Sequence, residues 1–247
     1  MKDYRPSPTL LAGRTILVTG AVNDIGRAAA IAFAGHGATV VLLDRDAKPL
    51  EKLYDEVVNA GLPEPVALPL DLSIATQELC ERAAHALETE LKGLDGLLHA
   101  ATEPGTLTPI ELYEPALFAR VMQINFSARW LLTRVCLPLL KKSPDASIVF
   151  SSADVGRHAR AYWGAYATAA FATEGLMQVL ADEVAANTNI RVNSVDPGKV
   201  RTYERSRFYP GEDPKSLPTV ESVMPTYLYL MGPDSKGVNG QTLNAGV

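Results

Sequence analysis

The stretch RTILVTGAVNDIGRAAA, residues 14–30, decides the fold that this sequence predicts. Its first seven residues form an apolar run that closes on glycine, which is typical of a strand buried in a parallel sheet. The residues that follow predict a helix to about Gly35. Gly20 allows a tight turn after the strand, and Gly26 allows the helix to pack close to the sheet, so that the first helical amides can hold a pyrophosphate. The stretch therefore predicts a nucleotide site.

Short apolar runs alternate with helical stretches along the rest of the chain. The apolar runs predict strands at ATVVLLD, PVALPLD, LDGLLHA, ASIVFSS and NIRVNSV, residues 38–44, 65–71, 94–100, 146–152 and 189–195, with a seventh at GQTLNA. Pro69 places the third strand near a sheet edge, because proline donates no ladder hydrogen bond. The stretches between strands are long enough for crossover helices, including one that Ser73 caps and that runs to about Lys92. This alternation predicts an α/β fold whose parallel sheet is covered by helices on both faces.

One region departs from the alternation. Residues 200–225 contain four prolines among charged and aromatic residues. We predict a mobile flap at about residues 203–225, over the end of the sheet, and a plain surface excursion is the alternative. Because the chain has no linker, repeat or low-complexity tract, residues 1–247 are predicted to form a single domain.

The composition argues against several classes of function. The 247 residues carry a formal net charge of −5 and no run of Lys or Arg, so nucleic-acid binding is not expected as the main activity. The two cysteines, Cys80 and Cys136, predict free thiols rather than a disulfide. The N-terminal MKDYRPSPTLLAG has no long apolar run. We therefore expect no signal peptide, no membrane span and a cytoplasmic location.

The turn after the first strand resembles the short-chain dehydrogenase/reductase family, whose fingerprint there is T-G-x-x-x-G-x-G. Thr19, Gly20 and Gly26 match it, and Asp24 stands at the middle glycine. The resemblance covers nearly the whole chain and implies a single Rossmann-type, doubly wound parallel sheet of about seven strands. A carboxylate about 4 Å from a phosphate charge would cost roughly 4 kcal/mol at an effective dielectric of about 20. The alternative is that Asp24 caps the helix, a role that aspartate fills well.

Further family positions imply a nicotinamide cofactor. Asp44 ends the second strand, where a carboxylate can accept hydrogen bonds from the adenosine ribose and favours NAD over NADP. Arg45 follows it and can contact a 2′-phosphate, which keeps NADP open. The pair Asp71 and Leu72 resembles the family's adenine site, although an aspartate that closes a strand can simply cap a turn. By the same resemblance, the nicotinamide carboxamide site is assigned to Pro197, Gly198 and Thr202.

The family's catalytic group is Asn, Ser, Tyr and Lys, and only part of it is present. Tyr166 matches the tyrosine, which is the acid/base in the family, and Asn125 matches the asparagine. The lysine position is Ala170, and the serine position is Ala153. Where relatives read N-A-G after the fourth strand, residues 100–102 read A-A-T. A free phenol has a pKa of about 10, so Tyr166 needs a partner to act near neutral pH.

The altered positions lead to three hypotheses. The first is a family member with weak or absent NAD(P)-dependent dehydrogenase/reductase activity and a binding or regulatory role. The second is an active oxidoreductase on a small carbonyl or alcohol, in which Tyr166 works with non-standard helpers such as Lys199, Arg157 or His158. The third is non-redox chemistry in the same cleft. Two long helices predicted near residues 112–142 and 162–186 correspond to those that pair in relatives, so a homodimer or homotetramer is expected.

Overall fold

A computed structural model describes residues 4–91 and 93–246 and contains one seven-stranded sheet. All its pairings are parallel, in the order β3-β2-β1-β4-β5-β6-β7. The strands are β1 Thr15–Thr19, β2 Thr39–Asp44, β3 Val66–Pro69, β4 Gly96–His99, β5 Ala146–Ser151, β6 Ile190–Asp196 and β7 Thr242–Asn244. The doubly wound α/β fold predicted from the sequence is confirmed, and Pro69 lies in the edge strand as expected.

Helices cover both faces of the sheet. They are α1 Asp24–Gly35, α2 Ala47–Asn59, α3 Gln77–Glu90, α4 Pro115–Met122, α5 Ala128–Leu140, α6 Gly164–Ala185, α7 Tyr203–Phe208 and α8 Met224–Met231. One buried core cluster lies between the sheet and helices α1, α2 and α8, and includes Phe33 and Tyr227. A second lies under α3, α5 and α6, and includes Leu132 and Met177. Within residues 4–91 and 93–246, no helix is long and apolar enough to cross a membrane.

Two helix starts differ from the sequence-based prediction. Ser73 lies in a short 3₁₀ turn, and α3 instead begins after Thr76, whose hydroxyl accepts a hydrogen bond from the Leu79 amide. Lys92, the predicted end of that helix, is outside the described residues. The sixth helix begins at Gly164 rather than at Tyr162. Tyr162 has a φ of 74°, which a right-handed helix cannot contain.

The strand order creates a crevice above β1 and β4. From these two central strands the chain winds outward in opposite directions, toward β3 on one side and β7 on the other. The loops that follow β1 and β4 therefore part at the carboxyl edge of the sheet, which is where open α/β sheets bind ligands. The short helix α7 belongs to residues 203–225, the predicted flap; its mobility remains a prediction.

Candidate active site

A cleft of about 810 Å³ opens at the carboxyl edge of the sheet. Most of the site residues predicted from the sequence line it, namely Gly20, Asp44, Arg45, Asp71, Leu72, Tyr166, Pro197, Gly198 and Thr202. The others, Thr19, Gly26 and Asn125, are not among the residues that line it, although Asn125 lines a small cavity together with Tyr166. The structure thus brings the predicted nucleotide positions and the predicted catalytic tyrosine into one cleft.

The turn after β1 is packed too tightly for any residue but glycine at two positions. Gly20 has a φ of 67°, and a Cβ there would lie 2.7 Å from the Ala101 Cα. A Cβ on Gly26 would lie 2.1 Å from the Gly20 carbonyl oxygen. The Thr19 hydroxyl accepts hydrogen bonds from the amides of Ala100 and Ala101, both at 3.1 Å. Thr19 therefore joins the ends of β1 and β4, and the glycines bring α1 against them.

Asp24 does not cap α1. The N-cap residue is Asn23, and α1 has no side-chain cap. The Asp24 carboxylate instead accepts a hydrogen bond of 2.8 Å from the backbone amide of Tyr203, the first residue of α7. Its φ of 36° is in the left-handed region that glycine favours, so the loop keeps a glycine-like backbone. The capping alternative is therefore wrong, and the Asp24 side chain does not occupy the first-turn amides of α1.

The two aspartates predicted to contact the ribose and the adenine already accept hydrogen bonds from backbone amides. Asp44 accepts hydrogen bonds from the amides of Val22 at 3.2 Å and Arg45 at 2.7 Å, one on each carboxylate oxygen. Arg45 is exposed at the rim of the cleft, with its Nε 3.1 Å from Asp46. Asp71 accepts a hydrogen bond of 2.8 Å from the Ser73 amide. Asp71 therefore does cap a turn, and its neighbour Leu72 is buried beside the cleft.

The predicted nicotinamide positions connect β6 to α7. Gly198 has a φ of 71°, and its amide donates to the Asp196 carboxylate at 2.9 Å. The Thr202 hydroxyl accepts from the Arg205 amide at 3.0 Å and caps α7. Pro197 lies between Asp196 and this turn and lines the cleft. These contacts fix the start of α7 over the carboxyl end of β6.

Tyr166 lies in the first turn of α6 with its phenol facing the cleft. Thr102 and Glu204 line the cleft together with Tyr166. The ring packs against Trp163 and Phe208, at centroid distances of 5.8 and 5.2 Å. Burial raises the pKa of Tyr166 well above its ordinary value, and Glu204 adds to this effect. Helix α7 thus covers Tyr166 with one aromatic and one acidic side chain.

Arg129 is a buried cation next to Tyr166 that the sequence-based prediction missed. It is 6% exposed, and it donates to the carbonyl oxygens of Ser151 at 2.8 Å and Ala101 at 2.9 Å. Ser151 is the last residue of β5, and Ala101 follows β4. The guanidinium therefore bridges the ends of these two strands at the cleft. The signal for it was an arginine four residues after Asn125, in a helix whose other buried residues are mostly apolar.

Asn125 lies in a π-helical segment, Gln123–Ser127, between α4 and α5. Its side-chain oxygen accepts from the Glu103 amide at 2.7 Å, and its side-chain nitrogen donates to the Glu103 carbonyl at 2.9 Å. Its own carbonyl accepts from the Thr173 hydroxyl at 3.2 Å. These contacts hold the loop after β4 against α6, close to Tyr166.

Of the three helpers of Tyr166 that the sequence suggested, one lines the cleft and two do not. Arg157 forms ion pairs with Glu174 at 3.2 Å and Asp196 at 2.6 Å, and neither it nor His158 lines the cleft. Arg157 therefore stabilises the link between α6 and β6 and is not a helper of Tyr166. Lys199 does line the cleft.

Glu204 predicts a measurable effect of pH on stability. Burial raises its pKa to about 7, above the value of about 4.3 for a free glutamate. The folded protein therefore holds this proton more tightly than the unfolded chain, so its contribution to the free energy of unfolding decreases as pH rises from about 4 to about 7. We expect wild type to lose stability relative to Glu204→Gln between about pH 4 and about pH 7 in urea titrations. Glu51→Gln, at an exposed position on α2, is the control for the chemical change itself.

Comparison with known proteins supports the same family as the geometry of the cleft. The family described as short chain dehydrogenase matches residues 14–212. The chain belongs to the short chain dehydrogenase family. The uncharacterized oxidoreductase YciK of Escherichia coli strain K12 is 44% identical over 242 residues, which is 98% of this chain and 95% of YciK.

Two solved structures of short chain dehydrogenases are similar over almost the whole chain. One, from Pseudomonas syringae, is 52% identical, with a TM-score of 0.96 and 98% of each chain covered. Another, from Shigella flexneri 2a, is complexed with NADP; it is 44% identical, with a TM-score of 0.93, and the match covers 97% of this chain and 99% of that one. The family resemblance predicted from the sequence is thereby confirmed.

Proposed function

We propose that this short chain dehydrogenase is an NADP(H)-dependent oxidoreductase that interconverts a carbonyl and an alcohol, with Tyr166 as the acid/base. The observation that carries the proposal is the single cleft that joins the glycine turn after β1 to the phenol of Tyr166. A phenol placed beside a reacting oxygen can donate or accept the proton that carbonyl chemistry requires. This proton transfer is the reason for proposing a carbonyl or alcohol substrate. The glycine turn at the other end of the cleft is the reason for proposing a nucleotide cofactor.

The residues of the cleft fit a nicotinamide dinucleotide. The start of α1 has no side-chain cap, so its first amides are free to face a diphosphate. A bound nicotinamide would donate or accept the hydride. The Shigella flexneri relative is complexed with NADP, and Arg45 at the end of β2 offers a cation for a 2′-phosphate. Asp44 already accepts two backbone hydrogen bonds. NADP therefore replaces NAD as the favoured cofactor.

Helix α7 controls access to Tyr166 in this proposal. Glu204 of α7 lines the cleft beside Tyr166, whose phenol oxygen is the atom that a substrate carbonyl has to reach. We therefore expect the start of α7 to move when substrate binds. The Asp24–Tyr203 hydrogen bond connects that start to the turn after β1, so occupation of the nucleotide site and the position of α7 are expected to be coupled.

The experiment is a calorimetric titration with NADPH and NADH, followed by turnover of a panel of aldehydes and ketones. We expect NADPH to bind at micromolar concentration and NADH at least about tenfold more weakly, equivalent to about 1.4 kcal/mol. Arg45→Ala is expected to remove most of this preference, whereas Arg82→Ala, an exposed arginine on α3 outside the cleft, is expected to keep it. Absence of binding by either cofactor contradicts the proposal.

A second candidate function is nucleotide binding without turnover. It is favoured by Ala153 and Ala170, which stand where relatives carry the catalytic serine and lysine. The same experiment separates the two, because NADPH binding with no turnover of any panel member supports a binding or regulatory role.

On assembly, exposed apolar residues of α4, α5 and α6, namely Phe118, Trp130, Phe171 and Val179, support the expected homodimer, which remains a prediction.

A further inference from the structure

A small cavity under Tyr166 contains the two altered catalytic positions. Its volume is about 10 Å³, at the lower limit for holding one water molecule. Ala153 and Ala170 line it, together with Tyr166 and Arg129. Ala170 lies one helical turn after Tyr166 on the same face of α6. Ala170 on α6 and Ala153 after β5 have small side chains, and Arg129 of α5 reaches the space beside them.

Arg129 carries a charge that the fold alone does not require. Both of its Nη atoms are bonded to backbone carbonyls, and among residues 4–91 and 93–246 no hydrogen-bond partner is found for its Nε or for the Ser152 hydroxyl. A buried guanidinium bonded only to neutral carbonyls is costly, because its desolvation is not repaid by a carboxylate. Because Arg129 also lines the cleft, it is a candidate functional group.

The charged and titratable groups around the phenol come from five helices. Glu204 of α7 lines the cleft with Tyr166 and raises the pKa of its phenol. Arg129 of α5 opposes the effect of burial and of Glu204 on the pKa of Tyr166. Glu174 of α6 and Tyr227 of α8 act on Arg129, and Asp24 acts on Glu204. Arg129 is the cation in this set, which otherwise consists of acids and phenols.

We propose that Arg129 is a positioning residue that supplies the positive charge for Tyr166, from α5 instead of from the lysine position one turn after Tyr166. The inference rests on the proposed function where it concerns turnover. In carbonyl reduction, a bound NADPH would supply the hydride to the carbonyl carbon and be left as NADP+, while the phenol O–H of Tyr166 breaks and its proton forms the O–H of the alcohol. The phenolate left behind lies next to the guanidinium, which stabilises it until it takes a proton from water.

Three variants test the role of the charge. Arg129→Met removes it and keeps an unbranched side chain, Arg129→Lys keeps it, and Arg129→Met combined with Ala170→Lys returns it to the position used in relatives. Because Tyr166 acts in alcohol oxidation as the phenolate, we expect the acidic limb of kcat/KM in Arg129→Met to move up by about one pH unit. We expect kcat near neutral pH to fall about 10²-fold, and both to recover in the two charged variants.

A second measurement does not depend on activity. Glu204 lines the same cleft as Tyr166 and Arg129; burial raises its pKa to about 7, and the Arg129 guanidinium opposes this rise. Carbon NMR of glutamate labelled at Cδ, with the Glu204 signal assigned by Glu204→Gln, follows this titration. We expect the midpoint to rise by roughly one pH unit in Arg129→Met and to stay near the wild-type value in the two charged variants. Arg129→Gln replaces Arg129→Met if the latter does not fold.

The outcomes separate the two proposals. A Glu204 midpoint and a kcat/KM profile that are the same in the uncharged variant and in wild type overturn the role of Arg129, while wild-type turnover of the panel still supports the proposed function. A midpoint that moves with the charge in a protein that turns over no panel member supports the charge arrangement and overturns the proposed function. A failure of both charged variants to recover either readout also overturns the role, because it shows that Arg129 acts through packing.

Discussion

Replacing Tyr166 by phenylalanine is expected to lower kcat/KM for carbonyl reduction by about 10²–10⁴-fold. The substitution removes only the hydroxyl, which is the group that would exchange the proton with the reacting oxygen. The ring contacts with Trp163 and Phe208 are apolar and remain available. NADPH affinity is therefore expected to stay within about twofold of wild type, equivalent to about 0.4 kcal/mol.

The matched control is Tyr162→Phe. Tyr162 lies four residues earlier and is 59% exposed, and it does not line the cleft, so its hydroxyl is expected to be dispensable. Steady-state kinetics with NADPH and the best panel substrate measure both variants. Full turnover by Tyr166→Phe would exclude Tyr166 as the acid/base and leave Glu204, which lines the same cleft, as the next candidate. Turnover that needs no cofactor would favour non-redox chemistry instead.

The sequence predicted the parts of the molecule that depend on local pattern. Strand and helix periodicity places the seven strands, because buried parallel strands are short apolar runs whatever their neighbours. The turn after β1 was predictable because glycine is the residue that tolerates the φ of Gly20 and the contact at Gly26. Tyr166 was predictable from its resemblance to a family motif, and its place in the cleft agrees with that motif.

The parts that depend on contacts between distant segments could not be predicted. Asp24 bonds to a backbone amide 179 residues away in the sequence, so its side chain could only be assigned to a local cap or a local repulsion. Glu204 comes from a short helix in a proline-rich region without periodicity. Arg129 is an ordinary helical residue by pattern, and only the convergence of α5 and α6 makes it a neighbour of Tyr166. The absence of the lysine at Ala170 can be recognised from the sequence, whereas the position of Arg129 beside Tyr166 depends on how α5 packs against α6.

Replacing Gly26 by alanine is expected to abolish NADPH binding and to destabilise the fold. The added Cβ would lie 2.1 Å from the Gly20 carbonyl oxygen and 3.2 Å from the Thr19 carbonyl oxygen. Both are backbone atoms, so the clash can be relieved only by moving α1 away from the turn. Overpacking of this kind costs roughly 1–3 kcal/mol of unfolding free energy. The same movement takes the first amides of α1 away from the turn that would hold the diphosphate.

Gly175→Ala is the control, because it makes the same chemical change inside a helix where nothing lies within 4 Å of the new Cβ. Alanine is the better helix former by roughly 0.5–1 kcal/mol, so this variant is expected to be more stable than wild type and to bind NADPH normally. Urea denaturation gives the two stabilities, and calorimetry gives the two affinities. If Gly26→Ala binds NADPH as wild type does, the start of α1 is not the diphosphate site, and the cofactor proposal loses its structural basis even though the family assignment stands.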